Sequence, residues 1–255
     1  MQTIDKHQGD RISAFQAYID QKIYVEHLLH YKKLNGSDHL WIKNFLRDDQ
    51  QSFCAYCMRM VSDGNVDHVI PQCVKEQSTF KQALNLGKGC YSPQFIGQHR
   101  FKVSPQRMFH PHTLAYGNMV YSCRPCNTHK DADIVVPNFF FSPSGLSYKA
   151  DGSIVFPKDA LSTGMRTFLQ SEILCLYRAL WYYAVHCKYS YGGLRQVAKL
   201  SERKQFFEAL QKAMPNSLST KLNRKLGSLI SDSGWNHFLS YRWFERYYSQ
   251  MKNQP

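Results

Sequence analysis

The sequence predicts an α+β chain in which a small cysteine-stapled sheet lies between two helical flanks. Three observations predict it. Two C-x-x-C pairs, Cys54/Cys57 and Cys123/Cys126, stand far apart in the chain. Between them Val66-Asp67-His68-Val69-Ile70-Pro71 has the apolar density of a short buried strand. Apolar residues at helical spacing dominate both ends. With 255 residues, 43% of them hydrophobic and 14% aromatic, the chain can bury a globular core, which excludes a disordered tail.

From Asp10 to Gln51, Ile12, Phe15, Ile19, Ile23, Leu28 and Leu29 recur near helical spacing, break at Asn35-Gly36-Ser37-Asp38, and give way to Trp41, Ile42, Phe45 and Leu46. This predicts a helical hairpin packed on the core, so residues 1–50 form a helical N-terminal segment. Residues 51–157 hold the cysteine pairs. Four thiolates from two such knuckles can close a tetrahedral shell around zinc, leaving no open position, so the zinc expected here is structural. Cys73, Cys90, Cys175 and Cys187 lie outside the pairs; Cys73 and Cys90 are expected as buried free thiols. The turn signal Ser62-Asp63-Gly64-Asn65 leads from the first knuckle into the Asp-His strand, predicting a compact hairpin. Asp67 and His68 put a carboxylate and an imidazole on adjacent residues, where a ligand and a base can sit.

A segment at 72–117 interrupts this core. Gly87, Gly89, Gly97, Gly117, Pro93, Pro105 and Pro111 predict irregular loops, and Lys75, Lys81, Lys88, Arg100, Lys102 and Arg107 suit a run along a nucleic-acid backbone. His110 and His112 are read as loop residues. After the second knuckle, Val135 to Pro157 reads as strands and turns around Phe139-Phe140-Phe141, Ser142-Pro143-Ser144-Gly145 and Asp151-Gly152. Residues 158–255 form a helical C-terminal region. Met165, Phe168, Leu169, Ile173, Leu176, Leu180 and Trp181 make one apolar stripe, followed by helical segments at Val197 to Met214 and Trp235 to Met251. The last segment interleaves Trp235, Phe238, Tyr241, Trp243, Phe244, Tyr247 and Tyr248 with Arg242 and Arg246; core packing or a partner interface is preferred over base stacking. No linker is apparent, so one unit is expected.

The net charge of +13 is uneven: seven Lys/Arg against seven Asp/Glu in 1–50, sixteen against eight in 51–200, nine against four thereafter. The excess begins with the cysteine motif. It favours a polyanionic partner and strong salt dependence, without choosing DNA over RNA. Met1 to Gly9 lacks the apolar centre of a signal peptide, and Ile173 to Val185 is short and interrupted by Arg178, so neither export nor a membrane span is expected. A cytoplasmic protein follows, in a compartment where paired thiols favour metal over disulfides.

The order of these parts resembles the HNH endonucleases. That family's pattern has two zinc knuckles, an Asp-His or His-His at a strand end, a central Asn, and an Asn or His after the final cysteine. Here the parts are Cys54-Ala55-Tyr56-Cys57, Val66-Asp67-His68-Val69-Ile70-Pro71, and Asn118-Met119-Val120-Tyr121-Ser122-Cys123-Arg124-Pro125-Cys126-Asn127-Thr128-His129-Lys130, with nine positions from Asn118 to Asn127. The resemblance covers about residues 51 to 135. It implies a ββα-metal core gripping one divalent ion, magnesium or manganese, with zinc outside the reaction. Asp67 and Asn127 would bind that ion, His68 would deprotonate the attacking water, and Asn118 would hold loop and base in place. Lys130 would assist the phosphate or leaving group, and Arg124 would join the nucleic-acid contacts. Asp131, four residues after Asn127, is placed on the same helical face as a further metal contact. His129 is expected to be exposed. One departure is the insertion, which puts about fifty residues between His68 and Asn118 where many relatives need far fewer.

The resemblance implies hydrolysis of phosphodiester bonds in DNA, RNA remaining open, with 5′-phosphate and 3′-hydroxyl ends. Compact HNH proteins with helical flanks resemble effectors of bacterial anti-phage systems, some paired with an ATPase. The competing readings are a non-catalytic zinc-containing nucleic-acid adaptor and a nuclease subunit silent without such a partner. Homo-oligomerisation is open in each.

Overall fold

The computed structural model describes residues 9–28, 30–73, 113–114, 116–132, 147–156 and 163–252. Helix α1 (Gly9–Asp20) buries Phe15 and Ile19 and runs into a π turn, Gln21–Val25, that buries Ile23. The predicted break falls at the N-cap of helix α2 (Gly36–Asp49). The Asn35 carboxamide accepts the Asp38 N–H (2.9 Å) and the Asp38 carboxylate accepts the Asn35 N–H (3.2 Å), a reciprocal cap. Asp38 also takes the Tyr18 hydroxyl (2.5 Å) and the Lys22 ammonium (2.9 Å), which ties α1 to α2. Ile42 and Leu46 are fully buried on a helix that packs against two strands, at Asn65–His68 and Met119–Ser122.

Strand β1 (Asn65–His68) pairs with β2 (Met119–Ser122), antiparallel, with Asp67 opposite Val120 and His68 opposite Met119. The partner of the Asp-His strand is therefore the segment beyond the insertion. The first knuckle contributes only an isolated bridge, Phe53 to Met60, so the compact hairpin expected at 58–71 is replaced by a long-range ribbon. Gly64 explains the approach to that ribbon: a Cβ there would lie 2.6 Å from the Tyr121 ring, and its N–H donates to the Tyr121 hydroxyl (2.7 Å). Buried Gln50 completes the ribbon's free edge, accepting the Tyr121 N–H (2.7 Å) and donating to the Tyr121 carbonyl (2.9 Å). Helix α3 (Arg124–Lys130) follows β2 and packs against β1, so strand, strand and helix meet in one small layer.

Strands β3 (Ser147–Tyr148) and β4 (Ile154–Val155) form a second ribbon. The predicted apolar stripe after Asp159 is broken into α4 (Thr163–Leu169) and α5 (Glu172–His186), because Gln170 turns to bond both backbone groups of Ile154 (3.1 and 2.7 Å). The break rotates Ile173 out to 37% exposure, while Leu176, Leu180 and Trp181 stay buried. Helices α6 (Leu200–Ala213), α7 (Asn216–Ile230), α8 (Asp232–Leu239) and α9 (Trp243–Lys252) complete the chain, with α9 and α6 packed on α5. The expected final segment is thus two helices, and α7 is a helix that the apolar spacing of the sequence does not single out. All seven aromatics of that segment are buried, which makes them core. Among the described residues, no helix is long and apolar enough to cross a membrane.

Candidate functional site

The sulfurs of Cys54, Cys57, Cys123 and Cys126 are buried and lie within 4.8 Å of one another, with Cys57 and Cys123 at 3.8 Å. Zinc–thiolate bonds of about 2.3 Å in a tetrahedron place sulfurs roughly 3.8 Å apart. A disulfide needs about 2.05 Å. The tetrad is therefore compatible with a structural zinc. Local folding brings it together: Met58 takes a positive φ of 60° to close the first knuckle, and Cys123 caps α3 so that Cys126 falls in its first turn. The Ala55 N–H donates to the Tyr121 carbonyl (3.0 Å), hooking the first knuckle onto β2. Neighbouring sulfurs hold the Cys123 thiol far below its usual range, whereas burial pushes Cys126 up. Burial works against the charge on Arg59, but the Cys123 and Cys57 thiolates outweigh it and raise its pKa.

Asp67 and His68 stand at the end of β1, both buried. The Asp67 carboxylate accepts the Tyr56 hydroxyl at Oδ2 (2.6 Å) and the His68 N–H at Oδ1 (2.8 Å), with the Lys130 ammonium 3.5 Å from Oδ1. Burial raises its pKa; Lys130 and Tyr56 pull against that without cancelling it. His68 Nε2 lies 2.9 Å from the Thr113 carbonyl, which can only accept, so Nε2 carries a proton. Nδ1 is 3.2 Å from the Gln72 side-chain amide nitrogen, a donor, which fits an Nδ1 lone pair. The Tyr31 ring meets the imidazole edge-on at 4.9 Å, and burial pushes the Tyr31 hydroxyl up to about 12.

Asn118 is fully buried and clamps the turn after His68. Its Oδ1 accepts the Ile70 N–H (2.7 Å), its Nδ2 donates to the Ile70 carbonyl (3.0 Å), and its own carbonyl accepts the Val69 N–H (2.9 Å). Asn127 is partly exposed on α3, three positions before Lys130. Residues three apart share a helix face, so the face that carries Lys130 to Asp67 also carries Asn127. Arg124 is exposed in the first turn. Asp131 does not continue that face: it is the C-cap, exposed, with φ 48° and ψ −126°, so helical spacing fails one residue too early for it. His129 is exposed and stacks on Phe168 at 4.1 Å.

Lys75, Lys81, Lys88, Arg100, Lys102, Arg107, His110, His112 and Cys90 lie outside the described residues. Cys73 is exposed, contrary to expectation. Four contributors carry no motif signal in the sequence: Tyr56 on Asp67, Gln72 and Thr113 on His68, and Gln50 on β2. Tyr56 was the most accessible of them, because a C-x-x-C turn that meets the Asp-His strand must bring its middle residues close. No family model, curated protein or solved structure matches the chain.

Proposed function

We propose that the chain is a metal-dependent HNH endonuclease that hydrolyses phosphodiester bonds in DNA. One observation carries the reading: His68 has its Nε2 proton committed to the Thr113 carbonyl and its Nδ1 left as the acceptor, here of the Gln72 amide, next to a carboxylate reached by the helix that bears Asn127. An imidazole held in one tautomer by a backbone carbonyl is a prepared general base.

The Asp67 carboxylate and Asn127 carboxamide supply hard oxygen donors of the kind magnesium or manganese takes, and the partial exposure of Asn127 leaves room for water and phosphate oxygens. The bound ion would supply charge stabilisation at the phosphoryl oxygens and the departing oxygen. The protein's own part is to position and to move one proton. Tyr56 and the His68 N–H fix the Asp67 carboxylate; Asn118 fixes the turn at Ile70 and with it the direction of the imidazole. As the water oxygen bonds phosphorus, the P–O3′ bond breaks with its electron pair on O3′. The water proton passes to His68 Nδ1, and O3′ takes a proton from solvent. Lys130, buried beside Asp67, holds a positive charge at the edge of the site where a phosphate would approach.

The test is metal-dependent cleavage of supercoiled plasmid, single-stranded DNA and RNA by purified protein. His68→Ala should reduce cleavage by about 10²–10⁴-fold, the usual share of a general base, while zinc content is unchanged. Wild-type cleavage by His68→Ala would overturn the reading. The adaptor alternative is favoured by one contact, the Lys130 ammonium 3.5 Å from Asp67, which neutralises that carboxylate from within the fold. An adaptor would bind nucleic acid equally well with and without added magnesium and cut none.

A further inference from the structure

Gln72 is the residue the proposed mechanism leaves unused. It lies in the turn after Pro71, four residues past His68, and donates its side-chain amide to His68 Nδ1 at 3.2 Å. With Nε2 of His68 protonated toward Thr113, Nδ1 of the neutral ring accepts, so the NH₂ end of Gln72 must face it. The other end is then the anomaly: Gln72 Oε1 is buried and has no hydrogen-bond donor among the described residues. A buried carbonyl oxygen without a donor is costly, and such an atom calls for a water or ligand that supplies one.

Resting on the nuclease reading, we propose that Gln72 is a positioning residue for the attacking water. The water offers two hydrogens. One points at His68 Nδ1 and the other at Gln72 Oε1, two acceptors that stand side by side once the carboxamide yields its present contact. With both hydrogens held, the lone pairs of the oxygen are directed away from these two acceptors, and one of them faces phosphorus. In the step itself the water oxygen forms the bond to phosphorus, the P–O3′ bond breaks with its electrons on O3′, and the proton on Nδ1's side transfers to His68. The hydrogen on Oε1 stays on the new phosphate oxygen. Gln72 gains and loses no proton. It removes the rotational freedom of the nucleophile, the kind of misplacement that costs about a hundredfold in rate.

The geometry distinguishes an acceptor from a mere space-filler. Gln72→Met keeps length and bulk but has no oxygen; Gln72→Glu keeps length and the acceptor. With plasmid DNA and magnesium, Gln72→Met should lower kcat by about a hundredfold with KM within about twofold, and Gln72→Glu should recover most of the loss. Zinc content and Tm should match wild type in both variants. Independently of cleavage, the ¹⁵N resonance of His68 Nδ1 should move in Gln72→Met as it loses its amide donor, while Nε2 stays protonated. Wild-type kcat in Gln72→Met, a rise in KM alone, or an unmoved Nδ1 resonance would each overturn the role. If those occur while His68→Ala is inactive, the nuclease reading survives. If His68→Ala cleaves normally, both fall.

Discussion

In the C-terminal helices, rings fill one another's gaps: Trp181 stacks on Phe238 at 4.9 Å, Tyr177 on Tyr241 at 5.1 Å, and Trp235 meets Phe206 and Phe207 edge-on. Around β1 and β2 the buried side chains are instead joined by directional bonds, Tyr56 to Asp67, His68 to Thr113, Asn118 to Ile70, Gln50 to Tyr121, with four sulfurs at the centre. Apolar contact gains from area and tolerates small shifts. Hydrogen bonds and metal shells fix atoms to fractions of an ångström, and they fail abruptly when one partner is missing. The helical region holds the molecule together, and the ribbon region holds atoms in place. The two meet where the Met60 N–H donates to the Ser240 carbonyl (2.7 Å) and Arg59 reaches His237 (3.3 Å).

The largest effect should come from the sulfur cluster. Structural zinc is worth about 10–16 kcal/mol in small zinc domains, so Cys126→Ser should lose zinc and the amide protection of β1, β2 and α3, read by metal analysis and hydrogen exchange. Protection in α5 and α9 should survive. Simultaneous loss in all of them would erase the distinction between the two regions. Next is Trp181→Ala, which removes a fully buried ring and its Nε1–H bond to the Phe238 carbonyl; the expected loss is about 3–5 kcal/mol by denaturant unfolding, with zinc retained in the folded fraction.

Asn118→Ala should cost about 2–3 kcal/mol, because it strands the buried N–H and carbonyl of Ile70. If the proposed nuclease reading holds, it should also reduce cleavage with zinc intact, and a variant that keeps wild-type stability would show that the turn needs no clamp. The smallest effect sits at the junction. Burial, with Arg59 beside it, lowers the His237 pKa to about 4. The unfolded chain takes up this proton below about 6.5 while the folded chain refuses it down to about 4, so stability present above 6.5 is lost as pH falls through that window. His237→Gln should flatten the Tm decline between those values at matched zinc content.

The tetrad was legible in the sequence because C-x-x-C fixes two ligands within one turn, and geometry leaves few places for the other two. Asn35 was legible as a break for a related reason: a carboxamide that can take a backbone N–H marks a helix start. Asp67, His68 and Asn118 stand out in the sequence through their neighbours, but the groups they bond to do not. The Thr113 carbonyl is a backbone atom, and no residue type announces where it points. Gln72 and Gln50 read as ordinary polar residues until the fold buries them. Ile173 departs from the predicted stripe because that stripe spans two helices, and the side chain that parts them, Gln170, acts on a strand distant in sequence. Asp131 misled because a seven-residue helix ends before the spacing argument expires.

The clamp at Asn118 has a consequence for how such a chain can change. The long segment between Cys73 and Thr113 leaves and re-enters the ribbon at neighbouring points, one end tied through Val69 and Ile70, the other through the carbonyl that orients His68. Closing a loop between fixed ends grows dearer only with the logarithm of its length. Evolution can therefore rewrite that segment, longer or shorter, while the atoms around Asp67 and His68 keep their places.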